Sequence, residues 1–237
     1  MIPPATAGGG AFVLGATGFV GREVVRQLCV RGGKPYAHVR PDSKKLDDWK
    51  QKFGELGAEV DATPWDAAAL AARWRELKPA RIYICIGTTR GKAKSDNVQG
   101  NIYEAVDYGL TKLAVDAARG SEIKPRLVYL SSVGADAGAR SDYLKWRGKA
   151  EDVVKASGLP WAIARPSIIT GDRDETRLGE KAAGVVGDGL LAVAWVFGGK
   201  KLRDRYRTTT PDVLASALIR IGEAAEHDVI VDGKDLR

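Results

Sequence analysis

The sequence predicts an α/β fold: a single domain built on a doubly wound, mostly parallel sheet, with helices on both faces and a small C-terminal substrate-side segment. Three observations predict it. Apolar residues 11–14 break into glycines at 15, 18 and 21 and resume as an amphipathic run to Leu28, which reads as strand, tight turn, helix. Short apolar runs then alternate with helical patterns along the chain, the signature of strand-helix-strand units with right-handed crossovers. Residues 81–86 are apolar almost without interruption, as expected of a strand covered on both faces. Residues 1–10 read as a loose leader, 11–237 as the domain, and 171–207 as a lid on the substrate side.

Taken in order, the first helix stops at Arg31-Gly32-Gly33-Lys34-Pro35, and residues 36–39 form the second strand. Residues 46–56 suggest a short polar helix and 58–62 a third strand. A helix over 66–77 begins on Asp66 and is stopped by Lys78-Pro79. The fourth strand, 81–86, leads to a long helix over 98–119 patterned by Ile102, Val106, Leu110, Leu113, Ala114 and Ala117. Strand five is 126–130, a helix follows over 142–156, and strand six is 161–165. Residues 190–197 are the most apolar run and read as a core or pocket-lining helix, far short of the roughly 20 residues that span a bilayer. A capped helix over 210–219 and an edge strand at 229–231 complete the pattern.

The glycine turn carries the first chemistry. A chain passing from a buried strand into a helix aims unsatisfied N–H groups and the positive end of the helix dipole at one place, which suits a phosphate. Gly15 makes the turn, Gly18 allows backbone to approach a pyrophosphate, and Gly21 lets helix and strand pack closely. Thr17 is the expected N-cap, and Phe19 and Val20 open the helix beside the phosphates. Arg40, just past the second strand, stands where a carboxylate would bind a ribose 2′-OH and an arginine favours a 2′-phosphate, so NADP(H) is expected over NAD(H). Asp61, at the exit of strand three, is expected near adenine or in a turn. Gly87, Thr88 and Thr89 leave strand four and face the first turn across the cofactor.

The charge of +7 and the pI near 9.4 raise the question of nucleic acid, but 30 acidic residues are interspersed with 37 basic ones and no Lys/Arg block of five appears. A nucleic-acid partner is therefore not expected. Two cysteines, read as small buried hydrophobes, and two distant histidines supply neither a disulfide framework nor a metal cluster. A reducing, cytoplasmic compartment is expected, with a small-molecule substrate and either a homodimer or a protein partner left open.

Ser132, or its neighbour Ser131, lies at the exit of strand five, and Tyr143 lies on the next helix. A serine can hold a carbonyl oxygen, and a tyrosine can deliver its proton when a cation stabilises the phenolate. The helical partner one turn after Tyr143 is Arg147.

Together with the glycine turn, the string Gly87-Thr88-Thr89-Arg90-Gly91-Lys92-Ala93, the Ser131-Ser132 turn with Gly134-Ala135-Asp136, and Arg165-Pro166 followed by Asp172-Arg173 resemble the atypical short-chain dehydrogenase/reductases. Within them the pattern is similar to the Tat-interacting-protein oxidoreductase family, over about residues 12–180. The resemblance implies a Rossmann fold with NADPH bound, Arg165 and Pro166 beside the cofactor, and a Ser/Tyr/Lys reductase constellation. It carries onto Ser132 and Tyr143, whereas the lysine position holds Arg147, which keeps the charge but does not exchange its proton readily. Two functions follow as expectations: a reductase of small carbonyl compounds, and a cofactor-bound regulatory or scaffold protein without catalysis.

Overall fold

The computed structural model describes residues 10–88, 100–167, 169, 209–233, 235 and 236. Thr89, the 171–207 segment with its apolar run, and nearly all of the leader lie outside the described residues. Among those described, seven strands form one sheet: β1 (Ala11–Leu14), β2 (Tyr36–His38), β3 (Glu59–Asp61), β4 (Arg81–Ile84), β5 (Arg126–Leu130), β6 (Trp161–Arg165) and β7 (Val229–Asp232). Their order is β3-β2-β1-β4-β5-β6-β7 and every pairing is parallel, the late strand included.

The helices are α1 (Phe19–Val30), α2 (Leu46–Glu55), α3 (Ala67–Leu77), α4 (Leu110–Gly120), α5 (Asp142–Lys155) and α6 (Pro211–Glu223). Strand periodicity of two sorts the core into two layers. Val13, Tyr83, Val128 and Ala162 face α1 and α6, while Phe12, Leu14, Ile82, Leu127 and Ile163 face α3, α4 and α5. Each large side chain so buried contributes roughly 1.5–3 kcal/mol, and covering both faces is what a parallel sheet needs.

Two expectations are corrected. Thr17 is not the N-cap of α1; Gly18 is, with extended backbone (φ −77°, ψ 168°) and no side-chain cap bond. The long helix expected over 98–119 is not α-helical throughout, because Tyr103–Gly109 is a π-helical segment that leads into α4. There the Asn101 side-chain oxygen accepts from the amides of Tyr103 (3.1 Å) and Glu104 (3.2 Å), and the Thr111 hydroxyl donates to the Asp107 carbonyl (2.6 Å). Apolar spacing near 3.6 does not separate such a widened turn from an α-helix.

Helix boundaries elsewhere have local causes. Asp66 caps α3 by accepting from the Ala69 amide at 2.8 Å, and Lys78 ends it in the left-handed region (φ 47°). Thr210 caps α6 through the Val213 amide, with Pro211 opening its first turn.

Candidate cofactor and catalytic site

β1 and β4 are neighbours in the sheet although β2 and β3 intervene in sequence, so chain direction across the sheet reverses between them. A crevice at the carboxyl ends of such strands is where open α/β sheets bind ligands. Gly15 has φ +73°, and a Cβ on it would lie 2.5 Å from the Cys85 carbonyl oxygen beyond β4. A Cβ on Gly21 would lie 2.2 Å from the Gly15 carbonyl oxygen. These two glycines are therefore filled by the protein itself, one against β4 and one against the turn. Gly18 donates its N–H to Gly15 O at 2.9 Å and begins α1. The first turn after it, Phe19, Val20 and Gly21, has no acidic residue and no side-chain cap, and Arg22 follows. That donor set, helix amides beside a cation, fits a pyrophosphate.

At the other end of the first unit, Arg40 follows β2 with its side chain 46% exposed and its Nε 3.9 Å from an Asp42 oxygen. Asp61 ends β3 but is buried and occupied. One carboxylate oxygen accepts from the Thr63 amide at 3.0 Å and the other from Arg73 Nε at 2.7 Å. Burial raises its pKa, yet Arg73 and Thr63 outweigh burial and hold the carboxyl below its ordinary value. One oxygen thus serves the turn after β3 and the other ties that strand's end to α3 through Arg73. Beside them His38 is buried between Phe12 and Trp65 and contacts the Thr63 carbonyl at 2.7 Å.

Beyond β4, Gly87 is exposed and Thr88 donates its amide to Asp107 at 3.3 Å. Asp107, in the π-helical segment, is fully buried and pairs with Arg147 Nη2 at 2.9 Å. Arg147 Nη1 donates to the Leu130 carbonyl (2.7 Å) and to the Tyr129 hydroxyl (3.2 Å). Its guanidinium carbon lies 5.5 Å from the centre of the Tyr143 ring, and Tyr103 packs edge-on to that ring at 5.4 Å. Burial opposes the charge of Arg147, but Tyr129, Asp107 and Tyr143 hold it firmly protonated. Burial pushes the Asp107 carboxyl up, with Arg147 pulling the other way, and pushes the Tyr129 phenol up to about 12. A Cβ on Gly87 would lie 2.5 Å from Arg147 Nη2, so glycine there makes room for the guanidinium.

The two serines after β5 differ. Ser131 donates to Glu151 at 2.6 Å, whereas the Ser132 hydroxyl has only a long contact, 3.4 Å, to the Val133 carbonyl. Ser132 is thereby the better placed to bind something else. The loop after it is tied to α5 beside Tyr143 by the Asp136 amide, which donates to Leu144 O at 3.2 Å. Arg165 is spent on Glu151 as a two-pronged ion pair (2.8 and 2.5 Å), and the Pro166 carbonyl accepts from the Val133 amide at 2.8 Å. Beside this pair lies a polar cleft of about 220 Å³ lined by Asp136, Gly148, Glu151, Lys155 and Arg165, away from the glycine turn.

Asp107 and Glu151 are the residues that sequence reasoning missed. Their signals were an acid beside the apolar Val106 and Leu110, and an acid one turn beyond Arg147 on the same face of α5. Among the described residues there is no cluster suited to a metal ion, and no helix is long and apolar enough to cross a membrane. Both cysteines are unpaired; Cys85 is buried, and Cys29 only half-buried.

A family profile described as NAD(P)H-binding matches residues 15–190. The chain is 27% identical to Protein FMP52, mitochondrial, of Candida albicans over 232 residues, 95% of each chain. It is 30% identical over 167 residues to a ceramide reductase of Caulobacter vibrioides, covering 70% of this chain and 48% of that one. Among solved structures, the ChuY anaerobillin reductase of Escherichia coli O157:H7 superposes with TM-score 0.61 at 17% identity, covering 93% of this chain and 94% of that one. Vestitone reductase from alfalfa gives 0.62 at 17% identity, covering 95% and 76%. Those likenesses describe a shared Rossmann-like fold, and with the profile spanning the glycine turn and every strand exit of the site, the chain belongs to the NAD(P)H-binding family.

Proposed function

We propose that the protein is an NADP(H)-dependent reductase of a small carbonyl compound, akin to the Tat-interacting-protein oxidoreductases. The observation that carries this reading is the disposition of groups at the carboxyl ends of neighbouring strands. The glycine turn and Thr88 flank the switch point, and Ser132 and Tyr143 follow the next strand, with Ser132 left without a strong partner. When bound, the nicotinamide cofactor supplies the hydride. Phe19, Val20 and Gly21 hold its phosphates through backbone amides, Arg40 holds the 2′-phosphate, and Pro166 borders the nicotinamide end. Ser132 donates a hydrogen bond to the substrate oxygen, and Tyr143 delivers the proton to that oxygen as the carbonyl becomes an alcohol. Arg147 cannot relay protons, because a guanidinium stays protonated, so its role is to hold positive charge against Tyr143.

Replacing Tyr143 by Phe leaves NADPH affinity intact and abolishes NADPH oxidation across a panel of aldehydes and ketones; full turnover in that variant contradicts the assignment. Arg40→Ala weakens NADPH binding by about ten-fold while leaving NADH binding unchanged, since a charge-assisted pair is typically worth about 1.5–3 kcal/mol. An unaltered preference removes Arg40 from the site.

A second reading, a cofactor-bound regulatory protein without turnover, is favoured by one observation. The cation at the usual lysine position is an arginine, 5% exposed and engaged on three sides. Steady NADPH consumption with any carbonyl of the panel eliminates it. The unpaired cysteines fit the cytoplasmic residence expected from sequence, while the FMP52 relatives are named as mitochondrial; fractionation of tagged protein decides between the compartments.

A further inference from the structure

We infer that Tyr103 is a specificity-determining residue whose ring walls the place of the carbonyl substrate and selects a flat, conjugated carbonyl compound over a saturated one, a role that rests on reading Tyr143 as the proton donor. The helices that follow β4 and β5 run back from the carboxyl edge of the parallel sheet, so their first residues stand where open α/β sheets bind ligands. Tyr103 opens the π-helical segment and Tyr143 is the second residue of α5. Their rings meet edge-on, with centres 5.4 Å apart and planes at 66°. One residue ties the two helix starts together. The Asn101 side-chain oxygen accepts from the amides of Tyr103 and Glu104, while its Nδ2 donates to the carboxylate of Asp142, the neighbour of Tyr143, at 3.3 Å. Both rings are half-buried, so each keeps an open part beside the other.

The π-helical turn explains how one helix serves two surfaces. Its hydrogen bonds close on the fifth residue rather than the fourth, so side chains before Leu110 are rotated relative to those after it. Ala114, Val115, Ala117 and Ala118 are thereby left in the core against the sheet, and Tyr103 still meets the ring of α5. Widened turns of this kind recur at functional sites. A half-exposed aromatic ring attracts another aromatic group, offset or edge-on, beyond what buried area supplies, whereas a saturated ring gains area alone. An arene conjugated with its carbonyl also shares the carbonyl plane, so one ring contact beside Tyr143 orients the reacting group as well as holding it.

The test compares benzaldehyde with its saturated counterpart, cyclohexanecarbaldehyde, by steady-state NADPH oxidation in the full wild-type chain, Tyr103→Phe and Tyr103→Leu. Tyr103→Leu raises KM for benzaldehyde by about two- to ten-fold with kcat unchanged, which marks lost binding rather than lost chemistry. Both constants for cyclohexanecarbaldehyde stay as they were, and Tyr103→Phe, which keeps the ring, behaves as the wild type. A fall in kcat shared by both aldehydes marks a ring that only props Tyr143 and overturns the proposal, as does an unchanged ratio of the two KM values. Tyr103→Gln, suited to a half-exposed position, takes the place of Tyr103→Leu where that chain fails to fold. A second readout needs no turnover: ligand-observed NMR of benzyl alcohol and cyclohexylmethanol added to the full chain loaded with NADP+. Tyr103→Leu weakens benzyl alcohol more than cyclohexylmethanol, and equal changes overturn the proposal. Selective weakening in a protein that never oxidises NADPH sinks the reductase reading and leaves the aromatic subsite standing; turnover of both aldehydes that is indifferent to Tyr103→Leu does the reverse.

Discussion

His38 shows how one side chain ties stability to the cofactor end of the sheet. It ends β2 two residues before Arg40, is 3% exposed, and its ring nitrogen lies 2.7 Å from the Thr63 carbonyl. Burial lowers its pKa, with the Thr63 contact and the nearby Asp61 opposing burial without overcoming it. The native state therefore resists protonation more than the unfolded chain does. Below an unfolded pKa of about 6.5 the unfolded state binds the extra proton, so stability falls as pH drops through that value toward the lower native pKa. Urea midpoints should fall more in the wild-type chain than in His38→Gln between about pH 7.5 and about pH 5. Equal losses in the two proteins would contradict this. Residue-level roles were the least legible in sequence. Asp61 and Arg165 could be placed at strand exits from spacing alone, but the partners of their charges, Arg73 and Glu151, lie 12 and 14 residues away on helices. Which arginine meets which acid depends on how α3 and α5 settle on the sheet, and no local pattern encodes that.

Among the elements, α5 is the one that brings the catalytic candidates to the sheet, and Gly148 fixes how closely. A Cβ there would lie 2.2 Å from the Asp136 carbonyl carbon and 2.3 Å from the Ala137 amide nitrogen, both backbone atoms that cannot yield cheaply. Gly54, in α2, has nothing within 4 Å of the same position. Both glycines occupy helices, where alanine is intrinsically better by about 1 kcal/mol. The two substitutions should then part in sign: Gly54→Ala stabilises by about 0.5–1 kcal/mol, and Gly148→Ala destabilises by about 1–3 kcal/mol through overpacking. Thermal or urea unfolding of the pair reads the difference, and a stabilised Gly148→Ala would mean that the helix does not sit against the 136–137 loop. At this scale the sequence was informative. Asp66 and Thr210 marked their helix starts, Lys78-Pro79 a stop, and alternating apolar runs marked strands to within a residue or two. The π-helical segment at Tyr103–Gly109 escaped because its apolar positions fit an α-helical period as well; what sets it apart is the inward Asp107 and the Thr111 hydroxyl on its carbonyl.

For the molecule as a whole, the strand order was legible in outline because alternating strands and helices with right-handed crossovers leave few topologies. The order β3-β2-β1-β4-β5-β6-β7 puts the switch point between the strand exits that carry Gly15 and Gly87. A ligand that binds only the folded chain stabilises it by about 2.7 kcal/mol at a concentration 100-fold above its Kd, so saturating NADPH should raise Tm clearly. The reaction proposed for the protein is hydride transfer from that cofactor to a carbonyl with Tyr143 supplying the proton. Its most direct test is to supply NADPH carrying deuterium on the transferring face and to analyse the alcohols formed from a carbonyl panel by mass spectrometry. Deuterium is expected on the former carbonyl carbon of at least one product, and none with Tyr143→Phe. NADPH that binds tightly yet delivers no label to any member of the panel would contradict it.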